Sequence, residues 1–543
     1  MDYPDPKVLA GLQRPQAYPD DPGAGEGIEW IQTHLSHVFL TRDRVYKFRK
    51  PVTLGFVDFA TLDERNADCL REVGLNRRLA PDVYRGVAAL RIEGGRVHVG
   101  EATEELASEP GVEHCVVMRR LPDGGDALSR LQRGELGSPH IDRLARVVAD
   151  FHGRVGLGAP APFDEKTWHA RCTAPFADSL ALLDQAPGAP PERVARVRDR
   201  ALRFAEERRD VFESRRLAGR AVDAHGDLHL QHVWFEADDA DPIVIDCLEF
   251  DEGLRRIDAA AEVAFTAMDL RYRRRADLAE RFLRRYAAER DDFDLYRPLG
   301  FFEAYRASVR AKVAGIAAAD AGIAEEQRAA ATQSVRRHLE LADALLASRD
   351  PGALVLVGGV VGTGKSTLAT VLAEALDARG GAAVVSSDRV RKQQAGLSPQ
   401  RPASDAERAR LYTDEAKART YRALLERARP VVGSGRVAIL DATWSRADDR
   451  ARAVAVAREL GARAVFVEAR CAADEAVDRL ARRRARGGDP SDAGPELYAQ
   501  SADAFEPVRS EEGLDCTAMG TDAPDWRERA AALAAGYSGL GFS

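Results

Sequence analysis

The sequence predicts two domains in tandem, α+β then α/β: an N-terminal two-lobed α+β region and a C-terminal three-layer α/β region with a mainly parallel sheet. Three observations predict this. Alternating apolar and polar stretches up to Leu121 give way to helical periodicity beyond Pro122. A turn-rich break, Ser348 to Ala353, interrupts the helices. Beyond it, short apolar runs alternate with helical segments, the pattern of βαβ units.

The 543 residues exceed one ordinary core. Hydrophobic residues at 45% and charged residues at 31% suit packed domains rather than a disordered chain. A net charge of -8 leaves no global positive field for nucleic acid or an anionic membrane. No signal peptide or run of about 18 apolar residues is visible, so a cytoplasmic protein off the membrane is expected. Cys69, Cys115, Cys172, Cys247, Cys471 and Cys516 lack CxxC spacing and read as free thiols.

The elements then follow in order. Residues 1–27 form a Pro/Gly/Asp-rich leader, and 28–340 form the first domain. His37 to Val52 alternates around a turn at Thr41 to Asp43, as a hairpin does, and residues 60–80 read as a helix. Strands are expected at VAALRI, RVHVG and CVVMRRL, and an amphipathic helix at Leu144 to Val155. Between residues 221 and 250, HVWF and PIVIDCLEF interrupt the helices, which resume from Ile257 to about Ala347. Residues 341–350 are the linker and 351–543 the second domain, with strands at LVLVGG, AAVVSS, RVAILDA and RAVFVEA.

Gly359 to Ser366, GVVGTGKS, fits G-x-x-x-x-G-K-[ST] between an apolar strand and the helical run STLATVLAEAL. Glycines at 359, 362 and 364 let backbone N–H groups around Thr363 turn toward phosphates. Lys365 reaches the outer phosphates, and Ser366, followed by Thr367, completes Mg²⁺ coordination. Asp388 follows the strand AAVVSS and precedes Arg391, so it reads either as a base beside an anion clamp or as a helix cap. Asp441 ends the strand VAIL, where an acid holds Mg²⁺ through water or caps a turn. The basic stretch from Arg479 to Asp492 reads either as a lid over the phosphates or as a solvated face.

In the first domain, HGDLHLQH holds Asp227, and IVID ends at Asp246. One carboxylate can accept the proton of an attacking hydroxyl while the other holds the metal. Three histidines in eight residues leave a zinc or structural reading open. Lys47 lies in VYKFRK with Arg49 and Lys50 as rivals, and Glu72 follows in a helix, the arrangement that clamps α and β phosphates.

Over about residues 351–520 this set resembles the small AAA-type P-loop kinases, a group with gluconate kinases, zeta toxins, chloramphenicol phosphotransferase and polynucleotide kinase 5′-end modules. The resemblance implies that Asp388 is the base, Arg391 a substrate contact, and Arg482, Arg483 and Arg486 lid arginines. Residues 28–340 resemble the aminoglycoside phosphotransferase-like kinases, a protein-kinase-like fold, in the variant fused to a P-loop kinase in bacterial two-domain proteins. That resemblance implies Asp227 as base, Asp246 as metal ligand, Lys47 as phosphate lysine and Glu72 as its partner, with Val117 to Leu121 linking the lobes around the adenine. His232 departs from the pattern by standing where an Asn metal ligand is usual.

The expected activity is ATP- and Mg²⁺-dependent transfer of phosphate to a hydroxyl of a small molecule. One alternative is a first domain that binds nucleotide or metabolite and gates the P-loop domain. Another is a toxin-like or nucleic-acid-end kinase.

Overall fold

A computed structural model of the protein describes residues 3–54, 57–103, 109–399, 401–486 and 494–537. The chain divides into two compact units, Met1–Pro175 with Arg216–Thr266 and Phe176–Arg215 with Ala267–Ser543.

In the first unit the hairpin region gives strands β1 (Glu29–Gln32), β2 (Ser36–Leu40) and β3 (Arg44–Arg49). Helix α1 (Leu62–Asn76) follows, then β4 (Tyr84–Glu93), β5 (Arg96–Val99) and β6 (His114–Arg119). The strands form one antiparallel sheet, β1-β2-β3-β6-β4-β5. Successive strand residues face opposite sides, and β6 uses both. Cys115 and Val117 join Phe39 and Phe48 under the N-terminal segment, whose Val8, Leu12 and Tyr18 are buried there. Val116 faces Cys69 and Val73 of α1. A Thr61–Glu64 capping box starts α1 and satisfies its first amides. Glu72 is thereby buried one residue from Val73, against the sheet.

Beyond helix α2 (Ser138–Arg154) lie four short strands, β7 (Ala221–Asp223), β8 (Val233–Trp234), β9 (Ile243–Val244) and β10 (Arg256–Asp258), and then helix α3 (Ala259–Tyr272). β8 pairs with β9 and β7 with β10, both antiparallel. The expected strand IVID is shorter than its apolar run: β9 stops at Val244 and Asp246 adopts φ +64°. Asp tolerates this left-handed region better than most residues. Tertiary bonds hold it there, because its N–H donates to the Tyr84 hydroxyl at 3.1 Å and its carboxylate takes Lys47.

The second unit is helical up to its sheet, with α4 (Ala276–Arg290), α5 (Leu299–Ala319) and α6 (Glu325–Leu345). Then come β11 (Ala353–Gly358), α7 (Lys365–Leu376), β12 (Ala382–Ser386), α8 (Ser387–Gln394) and α9 (Asp414–Gly433). β13 (Val437–Asp441), α10 (Ala447–Glu459), β14 (Arg463–Arg470), α11 (Ala473–Arg486), β15 (Asp515–Gly520) and α12 (Trp526–Ala535) complete it. The sheet order is β12-β13-β11-β14-β15, parallel throughout. Helices cover it, so its central strands read as unbroken apolar runs, and Val355, Val357, Ile439, Val465 and Val467 are buried with Leu368 and Leu372 of α7.

Helix α4 is tied to this sheet by buried charge. Glu280 accepts two hydrogen bonds of 2.8 Å from Arg436, at the entry to β13, and another from Arg271. Arg284 pairs with Asp377 after α7, and Arg427 of α9 pairs with Asp291. Gly381 sits with φ +86°, and a Cβ there would lie 2.1 Å from a Glu280 oxygen. Only glycine lets the chain pass that carboxylate.

Candidate active sites

In the second unit the loop between β11 and α7 is built on left-handed glycines. Gly359 has φ +131° and Gly362 φ +83°, and a Cβ would lie 2.4 Å from the Ala469 carbonyl or 2.6 Å from that of Ala476. Gly364 precedes α7, whose first turn starts at Lys365, so N–H groups at a helix N-terminus line the loop. Thr363 folds inward, its hydroxyl donating to the Val360 carbonyl at 2.8 Å, whereas Ser366 and Thr367 are exposed. Lys365 Nζ donates to the same carbonyl at 2.9 Å, closing the loop on itself. Burial pushes the Lys365 ammonium below its ordinary value, against the opposing charges of Asp441 and Asp388.

Those two acids reach the loop through the sheet register. Asp441 pairs with Ser386 on one side and Val357 on the other, so β11, β12 and β13 end together beside Lys365. Asp388 lies in the first turn of α8, bonded to Arg391 at 2.5 Å rather than capping the helix. The Arg391 guanidinium also lies over the Tyr412 ring, 4.6 Å from its centre. After Asp441 the chain turns back through Thr443, whose carbonyl accepts from Gly359 N–H at 3.0 Å. Trp444 is held at φ +51° there, with its N–H on the Tyr421 hydroxyl at 3.1 Å. A bulky residue in that region is strained, and such strain clusters at functional sites.

Arg479 of the basic stretch reaches the loop through Thr521. It donates to the Thr521 hydroxyl at 2.9 Å and carbonyl at 3.0 Å, and Thr521 donates to the Thr363 carbonyl at 2.7 Å. Arg483 lies close enough for its charge to act on Lys365. Arg482 instead bonds Glu475 on its own helix at 3.3 Å. The side chain of Arg486 lies outside the described residues. Sequence reasoning missed Thr521, Tyr412 and Tyr421, and named Arg479 only as the start of the basic stretch.

In the first unit Lys47 Nζ lies between Glu72, at 2.9 Å, and Asp246, at 3.1 Å. Burial works to lower the Lys47 ammonium, but Asp246 and Glu72 outweigh it and hold it charged well above its ordinary value. Its two rivals do not reach Asp246, although Arg49 takes the second oxygen of the same Glu72 carboxylate. Arg49 is buried among Asp68, Glu72 and Glu249 at 2.5–2.6 Å. Lys50 donates to the Thr33 carbonyl at 2.7 Å. Burial pushes the Glu249 carboxyl up to about 7, against the pull of Arg49.

Two backbone anchors shape the HGDLHLQH loop. The Glu262 carboxylate of α3 accepts from the N–H groups of His225, at 2.8 Å, and Gly226. His225 Nε2 donates to the Ile245 carbonyl at 2.8 Å, tying this loop to the one holding Asp246. Asp227 Oδ2 lies 3.5 Å from His229 Nε2 and 3.6 Å from His232 Nδ1, and His232 Nε2 lies 3.4 Å from Asp246 Oδ2. Burial pushes the Asp227 carboxyl up, but the His229 hydrogen bond and the charges of His232, His229 and His225 outweigh it, holding it well below the usual range. Burial keeps His225 neutral, down to about 3, and also lowers His232. Lys47 foremost, against burial, holds Asp246 well below the carboxylate range too. The loop thus pairs two ionised acids with a lysine, the set that orients a hydroxyl and a phosphate-bound cation. Glu262 was missed, because nothing in its local sequence marks it.

For a divalent ion, Ser366 and Asp441 offer oxygen donors beside the P-loop, which suits Mg²⁺. In the first unit Asp246 offers oxygen and His232 nitrogen. No helix among the described residues is long and apolar enough to cross a membrane.

Fold and sites together define a two-part protein, an N-terminal part built on an antiparallel sheet and a C-terminal P-loop part built on a parallel one. Residues 354–508 match the AAA domain family model. The chain belongs to the family of the uncharacterized protein Rv2004c of Mycobacterium tuberculosis, with which it is 34% identical over 489 residues, covering 88% of this chain and 89% of that one. Among solved structures, the amicoumacin kinase hAmiN is similar at 12% identity and a TM-score of 0.38, over 62% of this chain and 94% of that one. The APS kinase CysC of Mycobacterium tuberculosis is similar at 20% identity and a TM-score of 0.25, over 34% of this chain and 96% of that one.

Proposed function

We propose that the protein moves the γ-phosphate of ATP to a hydroxyl of a small molecule, with the P-loop part as one kinase site. The observation that carries the reading is the convergence of Lys365, Asp441 and Asp388 at the ends of three neighbouring strands, with Arg391 on Asp388. Backbone amides and Lys365 bind the phosphates, and Ser366 with Asp441 holds Mg²⁺. Asp388 takes the acceptor proton, and Arg391 releases Asp388 to contact the acceptor. Arg479 and Arg483 supply positive charge from α11.

The same reading gives residues 28–340 a second nucleotide site, with Asp227 as base, Lys47 and Glu72 on the phosphates, and Asp246 with His232 on the cation. The nitrogen donor of His232 favours a second reading for this domain, nucleotide binding that gates the P-loop kinase. A cytoplasmic location and small-molecule acceptors suit both readings, and the net charge of -8 disfavours nucleic acid.

The test is ATP turnover with product mass over sugars, polyols and nucleotides, for the intact protein, Asp227→Ala and Lys365→Ala. A product lost only in Lys365→Ala belongs to the P-loop site, and one lost only in Asp227→Ala belongs to the first. Turnover unchanged in both variants refutes the two-site reading.

A further inference from the structure

We propose that the cation position of the first unit is a mixed imidazole–carboxylate site, formed by His232 Nε2 and Asp246 Oδ2, that selects Mn²⁺, Co²⁺ or Zn²⁺ over Mg²⁺. It relies on the phosphotransferase reading for what the ion does, not for whether it binds.

Ligand atoms of Asp227, His229 and His232 all lie within 4.8 Å of one another, so the simplest grouping makes all three of them ligands. The hydrogen bonds divide them differently. The Gln231 N–H donates to His229 Nδ1 at 3.3 Å, which leaves the ring proton of His229 on Nε2, facing Asp227. His229 therefore donates to the base and has no lone pair for an ion on that side. His232 is the reverse. Its Nδ1 lies 2.9 Å from the Asp227 carbonyl, an acceptor only, so Nδ1 bears the proton and Nε2 is the open nitrogen. Donation of the second ring N–H to a backbone carbonyl is the arrangement that fixes metal-ligating histidines.

That open nitrogen faces Asp246 Oδ2 at 3.4 Å. Two ligands each about 2.1 Å from a shared ion, at roughly tetrahedral to octahedral angles, stand about 3.0–3.4 Å apart. The other Asp246 oxygen is taken by Lys47 at 3.1 Å, so the carboxylate is offered through one oxygen. The strained backbone of Asp246, at φ +64°, is held in this orientation by Tyr84. One imidazole and one carboxylate suit first-row transition ions, whereas Mg²⁺ prefers a near-octahedral shell of oxygen.

The experiment is pulsed electron paramagnetic resonance of Mn²⁺ bound to the intact, untagged protein without nucleotide, with Mg²⁺ as competitor. The P-loop set offers oxygen donors, so coupling to an imidazole ¹⁴N isolates the first unit. Coupling is expected in the wild type, and a 100-fold excess of Mg²⁺ should displace less than half of that ion. In His232→Asn, and in His232→Gln as a second variant, coupling should disappear and Mg²⁺ should displace nearly all the ion. Absence of nitrogen coupling in the wild type, or its survival in both His232 variants, overturns the proposal. Equal Mg²⁺ displacement from wild type and variants also overturns it. Because neither nucleotide nor acceptor is present, failure of phosphoryl transfer in the turnover assay leaves this result standing, and the converse also holds.

Discussion

Lys365 and Asp227 put the functional reading at risk most directly. Lys365 Nζ shares the carbonyl of Val360 with the Thr363 hydroxyl and feels the charges of Asp441 and Asp388. Lys365→Ala is expected to slow P-loop turnover roughly 10²–10³-fold, the usual cost of removing a preorganised charge partner, with thermal stability nearly unchanged. Asp227→Asn keeps the shape of the loop but cannot take a proton. Turnover assigned to the first unit should fall roughly 10²–10⁴-fold. A smaller fall, with the KM for ATP raised instead, would make Asp227 a binding residue.

Helix α4 acts on the P-loop sheet as a brace rather than as a neighbour. Glu280 is enclosed by Arg436 and Arg271, so Glu280→Ala takes the carboxylate from the buried Arg436 guanidinium, while Arg271 keeps Glu303 at 2.7 Å. Breaking a buried pair from one side costs about 3–5 kcal/mol, read as a loss in urea unfolding of the second unit. Burial opposes ionisation of Glu280, but Arg436 and Arg271 hold it down to about 2. Its contribution is therefore complete above the ordinary glutamate value and is lost as pH falls from about 4.5 toward 2. The same helix ends on Arg389, the residue after Asp388. Arg389 donates to the Ala288 carbonyl and to Glu289, each at 2.9 Å. Arg389→Ala should raise the acceptor KM more than the ATP KM, because α8 loses its outer support while the phosphate loop keeps its own. Equal changes in both would mean that the contact serves stability alone.

Across the molecule, acid should unfold both units through histidines kept neutral by burial. His225 is lowered to about 3, and His37 and His338 to about 4, each with desolvation as the first cause. A histidine lowered in the folded state binds its proton more readily when unfolded. Stability is then full above about pH 6.5 and declines as pH drops toward the folded values, by about 1.4 kcal/mol per pH unit for each such group. Urea midpoints compared at pH 7.5 and 5.0 measure this. Equal midpoints would show that these rings are solvated.

Wherever a candidate site residue belongs to a local pattern, the sequence alone marked it. The P-loop spacing from Gly359 to Ser366, the βαβ alternation around it and the HGDLHLQH string are each written within a few residues, because backbone turns and strand–helix alternation are short-range constraints. The hairpin from Ser36 to Arg49 was legible for the same reason. What depends on distant partners was not. Lys47 separates from Arg49 and Lys50 only when α1 and the Asp246 loop fold onto β3. Glu262 becomes the anchor of the HGDLHLQH loop only through a contact spanning 37 residues. The apolar run IVID reads as a strand through Asp246, yet Tyr84 and Lys47 turn that residue left-handed, a choice made by partners 162 and 199 positions away. Which histidine nitrogen is open was likewise decided by the folded backbone, because the N–H or carbonyl that meets each ring, and not the residue type, assigns its proton.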